Sequence, residues 1–254
     1  MSQGIVLITG ATAGLGKATA EKFASKGYDL ILTGRRASRL QDIAALLRDL
    51  YSVRVQTLAF DIRDAEACRK AWDSLDAEFR QVDILVNNAG LAAGLDPIDQ
   101  GSLEDWNAMI DTNVKGLLYI SRLVMPEMKK RGRGHIINLG STAAKDVYAR
   151  GGVYCASKHA VDALSQAMRI DLLPYGIKVT AIHPGAAETE FSLVRFKGDA
   201  QRAASVYAGY IPLQAEDVAD TIVYCASLPA HVCINDLVIT CTQQANAHYT
   251  FKNA

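Results

Sequence analysis

Seven short apolar runs rich in β-branched residues recur along the chain, with longer amphipathic stretches between them. They are IVLIT (5–9), DLILT (29–33), RVQTLAF (54–60), DILVN (83–87), HIINL (135–139), KVTAI (178–182) and DLVIT (236–240). Most are apolar nearly throughout and lack the every-second-residue alternation of a strand wetted on one face. Strands of that kind need cover on both faces, which parallel sheets obtain from the helices of their crossovers. Helical patterns fill the intervals at roughly 15–26, 37–50, 65–80, 103–130, 155–174 and 216–228. The alternation predicts an α/β fold, a doubly wound parallel sheet with helices on both faces and right-handed crossovers.

With 254 residues, half of them apolar, the chain can build a sizeable core. No linker, repeat or low-complexity tract interrupts it, so residues 1–254 are expected to form one domain. The least regular part follows the sixth strand and holds Pro184, Gly185, Gly198, Gly209 and Pro212. A long irregular segment at a sheet edge is expected to act as a substrate lid, here around 186–213.

Charge excludes some partners. Lys plus Arg and Asp plus Glu number 27 each, so nothing favours a nucleic acid or a membrane surface. The run KKRGRG (129–134) reads as a solvated helix end, where cations suit the helix dipole. The five cysteines are scattered without a C-x-x-C pair, which points to reduced thiols in the cytoplasm. The five histidines show no ligand spacing, and no metal is expected. The N-terminus runs straight into GIVLITG, and neither a signal peptide nor a membrane span is expected.

The first run leads into TGATAGLG, with Gly10, Gly14 and Gly16 in a G-x-x-x-G-x-G pattern. Glycine allows the tight turn and lets backbone amides approach an anion, and a helix beginning near Leu15 aims its N-terminal amides there. A pyrophosphate is the expected ligand; a tight turn without a ligand is the rival reading. The second run ends at Gly34-Arg35-Arg36, where a ribose-binding carboxylate would otherwise stand. Two guanidiniums in its place suit a 2′-phosphate, so NADP(H) is expected over NAD, with Arg35 ahead of Arg36. Surface charges capping a helix are the alternative. Asp61 and Ile62 follow the third run and could meet an adenine. Asn88, Ala89 and Gly90 follow the fourth in tight-turn chemistry. All stand at the strand ends where ligands bind in open α/β sheets.

Tyr154 and Lys158 lie four residues apart, on one helix face. A nearby ammonium should lower the phenol's pKa from its ordinary value near 10 toward a range useful for proton transfer. Ser141, thirteen residues earlier, offers a hydroxyl to a substrate oxygen, and Asn113 stands unfavourably mid-helix, which hints at a role for its amide. Tyr-x-x-x-Lys alone occurs by chance in many helices; the combination with the glycine loop carries the weight.

Taken together, TGATAGLG, NNAG, Asn113, Ser141, YCASK and HPG with Thr189 resemble the short-chain dehydrogenase/reductase family over essentially the whole chain. The resemblance implies a Rossmann-type sheet of seven strands, with Gly10, Thr12, Gly14, Leu15 and Gly16 at the cofactor. It implies Tyr154 as general acid/base, Ser141 steadying the reacting oxygen, Lys158 on the nicotinamide ribose and Asn113 holding a relay water. Pro184, Gly185 and Thr189 would line the nicotinamide carboxamide. Family members are often dimers or tetramers, so a homo-oligomer is expected.

LTGRR, MIDTNVKGLLY, TEFSLVRFKGD and LPAHVCIN are similar to the NADP-dependent 3-hydroxy acid dehydrogenases of serine and allo-threonine type. A substrate carboxylate would then meet a cation, with Arg195 and Lys197 as candidates; solvated loop charges or subunit contacts are the rival reading. AAKDVYARGG after Ser141 places Lys145, Asp146 and Arg150 where substrate is expected, a departure from the family pattern, and residues 143–150 are expected to help choose the substrate. A reductase of another carbonyl class (3-oxoacyl thioester, sugar or steroid) and a catalytically inactive NADP-binding sensor are the alternative functions.

Overall fold

The structure, a computed structural model, describes residues 2–253. Its strands are β1 (Ile5–Ile8), β2 (Asp29–Gly34), β3 (Val55–Ala59), β4 (Ile84–Asn87), β5 (Gly134–Leu139), β6 (Ile177–Pro184) and β7 (Asp236–Ile239). They form one sheet in the order β3-β2-β1-β4-β5-β6-β7, parallel at every pairing. The expected seven-stranded Rossmann-type sheet is therefore present. Chain order reverses direction between β1 and β4, and such a switch point opens a crevice at the strand C-terminal ends.

The helices are α1 (Gly14–Ser25), α2 (Ala37–Tyr51), α3 (Ala65–Asp73), α4 (Leu103–Ile110), α5 (Leu117–Arg131), α6 (Gly152–Leu172), α7 (Glu190–Arg195), α8 (Ala200–Ser205) and α9 (Ala215–Ser227). Successive strand side chains point to opposite faces. Val6 and Ile8 pack with Phe23 of α1, Leu40 of α2 and Ile222 of α9 on one side. Ile5 and Leu7 pack with Val124 of α5 and Val161 and Met168 of α6 on the other. This two-sided burial is why the strands read as unbroken apolar runs.

Three elements depart from the sequence reading. The helix expected over 65–80 ends at Asp73, because Arg80 folds back and donates to the carbonyls of Asp73 (2.9 Å) and Leu75 (3.1 Å). The helix expected over 103–130 is broken by a π-helical turn, Asp111–Gly116, which carries Asn113. Helix α6 begins at Gly152, so Tyr154 stands in its first turn.

A buried polar brace ties the sheet to the helices beneath the crevice. The Asn87 amide donates to Ser121 Oγ of α5 and to Asn138 Oδ1, each at 2.9 Å, and Asn138 donates to Ser165 Oγ of α6 at 2.9 Å. At the far end of β2, Asp29 accepts from the Arg54 backbone (2.8 Å) and guanidinium (2.7 Å). Burial raises the Asp29 pKa, but the bonds from Arg54 outweigh it and hold the carboxyl below its ordinary range. Asp29→Asn is therefore expected to lower stability at pH 7 by about 1–2 kcal/mol in denaturant unfolding. The carboxylate's contribution is present above its unfolded pKa and lost as pH falls through the depressed folded pKa, so the difference between variant and wild type should close in acid.

Candidate active site

The C-terminal ends of the strands open on one cavity of about 610 Å³. Its floor is the turn after β1. Gly10 there has φ +68°, and a Cβ on it would meet the Ala89 backbone at 2.9 Å. Thr12, Gly14 and Leu15 line the cavity. Gly16 does not; a side chain on it would strike the Gly10 carbonyl, so its lack of a Cβ lets α1 sit tight on the loop. The N-cap of α1, Ala13, supplies no side-chain bond, and no acidic residue stands in the first turn. The first amides of a twelve-residue helix thus face the cavity loop free of competing acceptors from the cap. This arrangement fits a pyrophosphate.

Asn88 fastens the neighbouring turn, donating from Nδ2 to the carbonyls of Thr9 (2.8 Å) and Gly10 (3.2 Å). Thr9 Oγ1 in return accepts from the backbone amides of Asn88 (3.0 Å) and Ala89 (2.9 Å). Ala89 and Gly90 line the cavity beside it. At the end of β2, Arg35 and Arg36 both reach the wall. Arg36 donates to Thr12 Oγ1 (2.7 Å) and to Glu190 Oε2 (2.9 Å), while Arg39 takes the other Glu190 oxygen at 2.8 Å. Asp61 and Ile62 line the same end, with Asp61 paired to Arg63 at 2.6 Å and held below its ordinary pKa by that bond.

At the other end stand Ser141, Tyr154 and Lys158, with Pro184, Gly185 and Thr189. Tyr154 and Lys158 are 7% and 6% exposed. Lys158 Nζ donates to the Leu139 carbonyl at 2.8 Å and lies 6.0 Å from the centroid of the Tyr154 ring. This geometry corrects the expected electrostatics. Burial raises the phenol well above its ordinary pKa; the Tyr148 side chain adds to the rise, while Ser141 and Arg195 only partly oppose it. Burial also pulls the Lys158 ammonium down to about 8. Desolvation outweighs the neighbouring charge, so in this structure the phenol is protonated.

Asn113 lies behind the cavity wall, its Oδ1 beside Gly90, and its amide is already engaged. Oδ1 accepts from the Leu91 amide (2.8 Å), and Nδ2 donates to the Leu91 carbonyl (2.8 Å) and Ser157 Oγ (3.0 Å). The side chain thus pins the loop after β4, and a relay water would have to use the second lone pair of Oδ1 or a backbone carbonyl loosened by the π turn.

The two candidate carboxylate cations separate. Arg195 lines the cavity, its guanidinium 5.5 Å from the Tyr148 ring and 5.6 Å from the Tyr154 ring. It donates from Nε to the Gly94 carbonyl at 3.2 Å, and its buried Nη2 has no partner among the described residues. Lys197 points away, 66% exposed and paired with Asp105 at 3.0 Å. The expectation for residues 143–150 also needs correction. Lys145 is bound to Asp162 and Asp236 away from the cavity, Asp146 and Arg150 are not in its wall, and only Tyr148 and Ala149 of that stretch line it. Tyr148, Phe191 and Tyr207 are wall residues that fall within the segments 143–150 and 186–213 expected at the substrate, but the sequence singled out none of them individually. An isolated aromatic in a loop or in a helix of six residues carries no spacing signal.

The family model of the short chain dehydrogenases matches residues 4–199. The chain belongs to that family. The NADP-dependent 3-hydroxy acid dehydrogenase YdfG of Salmonella typhi is 48% identical over 91% of this chain and 92% of its own. Sulfoacetaldehyde reductase 2 of Chromohalobacter salexigens is also 48% identical, over 95% of each chain. The closed form of a serine dehydrogenase complexed with NADP+ superposes with a TM-score of 0.91 at 44% identity, covering 98% of this chain and all of that one.

Lys158→Met is expected to remove turnover and yet raise the melting temperature of the cofactor-free protein by about 2–4 °C near neutral pH, because a buried charge is removed. The folded pKa of Lys158 is depressed, so the cost of burying it is full below about pH 8 and fades as pH rises toward its unfolded value. Melting curves from neutral to alkaline pH should show the advantage of the variant shrinking.

Proposed function

We propose that this chain is an NADP(H)-dependent oxidoreductase that interconverts an alcohol and a carbonyl on a small substrate with an anionic end, a 3-hydroxy acid such as serine or allo-threonine. The observation that carries the reading is Arg195: a guanidinium packed against Tyr148 and Tyr154, with a buried Nη2 lacking a partner among the described residues, within the same cavity as Ser141 and Lys158. An anion there leaves its β-carbon hydroxyl near the phenol. The similarity to a 3-hydroxy acid dehydrogenase and to a serine dehydrogenase supports the class. A second reading has its own support in the sulfoacetaldehyde reductase. A sulfonate one carbon away from the carbonyl keeps the spacing of a 3-hydroxy acid and offers Arg195 another oxyanion.

Gly10, Thr12, Gly14, Leu15 and the first amides of α1 would hold the pyrophosphate, Arg35 and Arg36 the 2′-phosphate, and Asp61 and Ile62 the adenine. Asn88, Ala89, Gly90, Pro184, Gly185 and Thr189 would frame the nicotinamide half. The bound nicotinamide supplies or takes up the hydride. In the reductive direction the Tyr154 phenol, kept protonated by burial, gives its proton to the carbonyl oxygen that Ser141 steadies. Lys158, which would hold the nicotinamide ribose, stabilises the phenolate left behind, and Asn113 keeps the loop after β4 in place for reprotonation through water. Oxidation runs the same proton path in reverse.

We place the whole chain in one catalytic domain, with residues 186–213 as a lid whose Phe191, Val194, Arg195 and Tyr207 close the cavity. A homo-oligomer, dimer or tetramer, is supported by the apolar side chains exposed at Ile170, Leu173, Tyr249 and Phe251. The scattered cysteines favour the cytoplasm. No described helix is long and apolar enough to cross a membrane.

The test is a kinetic panel of L-serine, the threonine isomers, 3-hydroxypropionate and isethionate with NADP+ and NAD+. Turnover with NADP+ on an anionic member is expected, and a strong preference for NAD+ would overturn the roles of Arg35 and Arg36. Tyr154→Phe should abolish turnover while NADPH still binds, as read by its fluorescence. Arg195→Met should raise KM for the anionic substrate by about 10–100-fold, the loss of a charge-assisted bond.

A further inference from the structure

Behind Ser141 lies a buried histidine backed by a group of charges that the reaction as described does not use. His183, on β6 and with no exposed surface, packs its ring so closely on Gly140 that a Cβ there would overlap it. Its Nδ1 lies 3.3 Å from the Ser141 amide nitrogen and 3.2 Å from the Ser141 carbonyl oxygen. Its Nε2 faces Asp236 Oδ1 at 3.0 Å and Asp162 Oδ1 at 3.6 Å, without a well-aligned hydrogen bond to either. The other oxygens of both carboxylates grip Lys145 Nζ, at 2.6 Å for Asp236 and 3.0 Å for Asp162. The three residues other than His183 come from three elements: Lys145 from the turn after β5, Asp162 from α6 and Asp236 from β7. Asp162, His183 and Asp236 have the spacing of a metal site, but the ammonium of Lys145 already bridges the two carboxylates.

The chemistry of the neighbours selects one tautomer. Two carboxylates in front of Nε2 favour a proton there, which leaves the Nδ1 lone pair to accept from the Ser141 amide. Burial, then the Lys145 ammonium, holds the ring neutral below its ordinary pKa, against the pull of Asp236, Asp162 and the Ser141 backbone.

We propose that His183 is a positioning residue for the reaction: as the Nε2–H tautomer it accepts the Ser141 amide at Nδ1 and so sets where the Ser141 hydroxyl meets the reacting oxygen. In acid, protonation turns Nδ1 into a donor. The ring then loses the Ser141 N–H and turns to the Ser141 carbonyl, which already accepts from the Ala144 amide at 2.8 Å. The serine shifts, and turnover falls. Lys145, Asp162 and Asp236 hold the ring in register, which accounts for a charged residue at position 145 that never reaches the cavity. The inference rests on the role proposed for Ser141.

Two measurements test it on the full chain with NADP+ or NADPH bound. The first is nuclear magnetic resonance of protein labelled with 15N-histidine. The expected signal for His183 at neutral pH is the Nε2–H tautomer, with a titration midpoint below that of a free histidine. The second is the pH profile of kcat for sulfoacetaldehyde reduction by NADPH between about pH 5 and 8, where the Tyr154 phenol stays protonated. Wild type should lose kcat in acid with the His183 midpoint. His183→Leu, which cannot accept, should lose about tenfold in kcat at neutral pH with KM for NADPH unchanged. His183→Gln, which accepts but does not titrate, should restore most of that loss and show no acid limb. An Nδ1–H tautomer at neutral pH, or superimposable pH profiles for wild type and His183→Gln, would overturn the inference. Absence of any sulfoacetaldehyde turnover would count against the sulfonate reading alone, since the tautomer is read without a substrate.

Discussion

The seam between β1 and β4 governs the rest of the site. The two strands are adjacent in the sheet but far apart in the chain, and the turns that leave them must lie side by side without a covalent link. Thr9 and Asn88 make the link instead, each bonding to the other's backbone. With the turns locked, Gly10 takes its left-handed conformation against Ala89, and α1 starts with its amides toward the crevice. Loss of register here would displace the phosphate-facing loop and the nicotinamide-facing turn together. Four hydrogen bonds across a partly buried seam thus do for the two halves what a short loop does for a hairpin.

Burial then decides the acid–base character of the other end. Two polar groups four residues apart on a solvated helix would settle as phenol and ammonium with a mild mutual pull. Placed under Arg195, Phe191 and the turn after β5, they meet a desolvation larger than that pull. The phenol keeps its proton more firmly, and the lysine releases its own more readily. A protonated phenol is the donor that the proposed reduction of a carbonyl requires, and the cofactor-free protein already holds Tyr154 in that form.

Much of this was legible in the sequence wherever a local rule fixes geometry. Unbroken apolar runs imply two covered faces, glycine at 10 and 16 implies a close approach, and a spacing of four implies one helix face. Position 113 stood out because asparagine is poor in mid-helix, and the π turn is the physical reason it is tolerated. The failures share a cause. Arg195 and Lys197 are two residues apart and equally cationic, yet one points inward and the other to Asp105, because the chain turns left-handed at Lys197. Lys145 stands close to Ser141 in sequence, which places it near the expected substrate, whereas its partners, Asp162 and Asp236, come from elements far along the chain and hold it outside the cavity wall. The sign of the Tyr154 shift likewise depended on a depth of burial that no spacing encodes.

The segment proposed as a lid is anchored at both ends of the crevice. At its start Glu190 clasps Arg36 and Arg39, next to the end proposed for the 2′-phosphate. Further on, Arg195 and Gly94 exchange hydrogen bonds through the Arg195 carbonyl and Nε, and Lys197 pairs with Asp105. The Glu190 contacts are partly exposed ion pairs, each worth little in water, so exchanging one costs little. Arg36 already divides its donors between Thr12 and Glu190, and a phosphate arriving there must compete with Glu190 for the same guanidinium. Arg36, one of the two residues proposed for the 2′-phosphate, therefore also holds the first turn of α7, the helix that ends in Arg195.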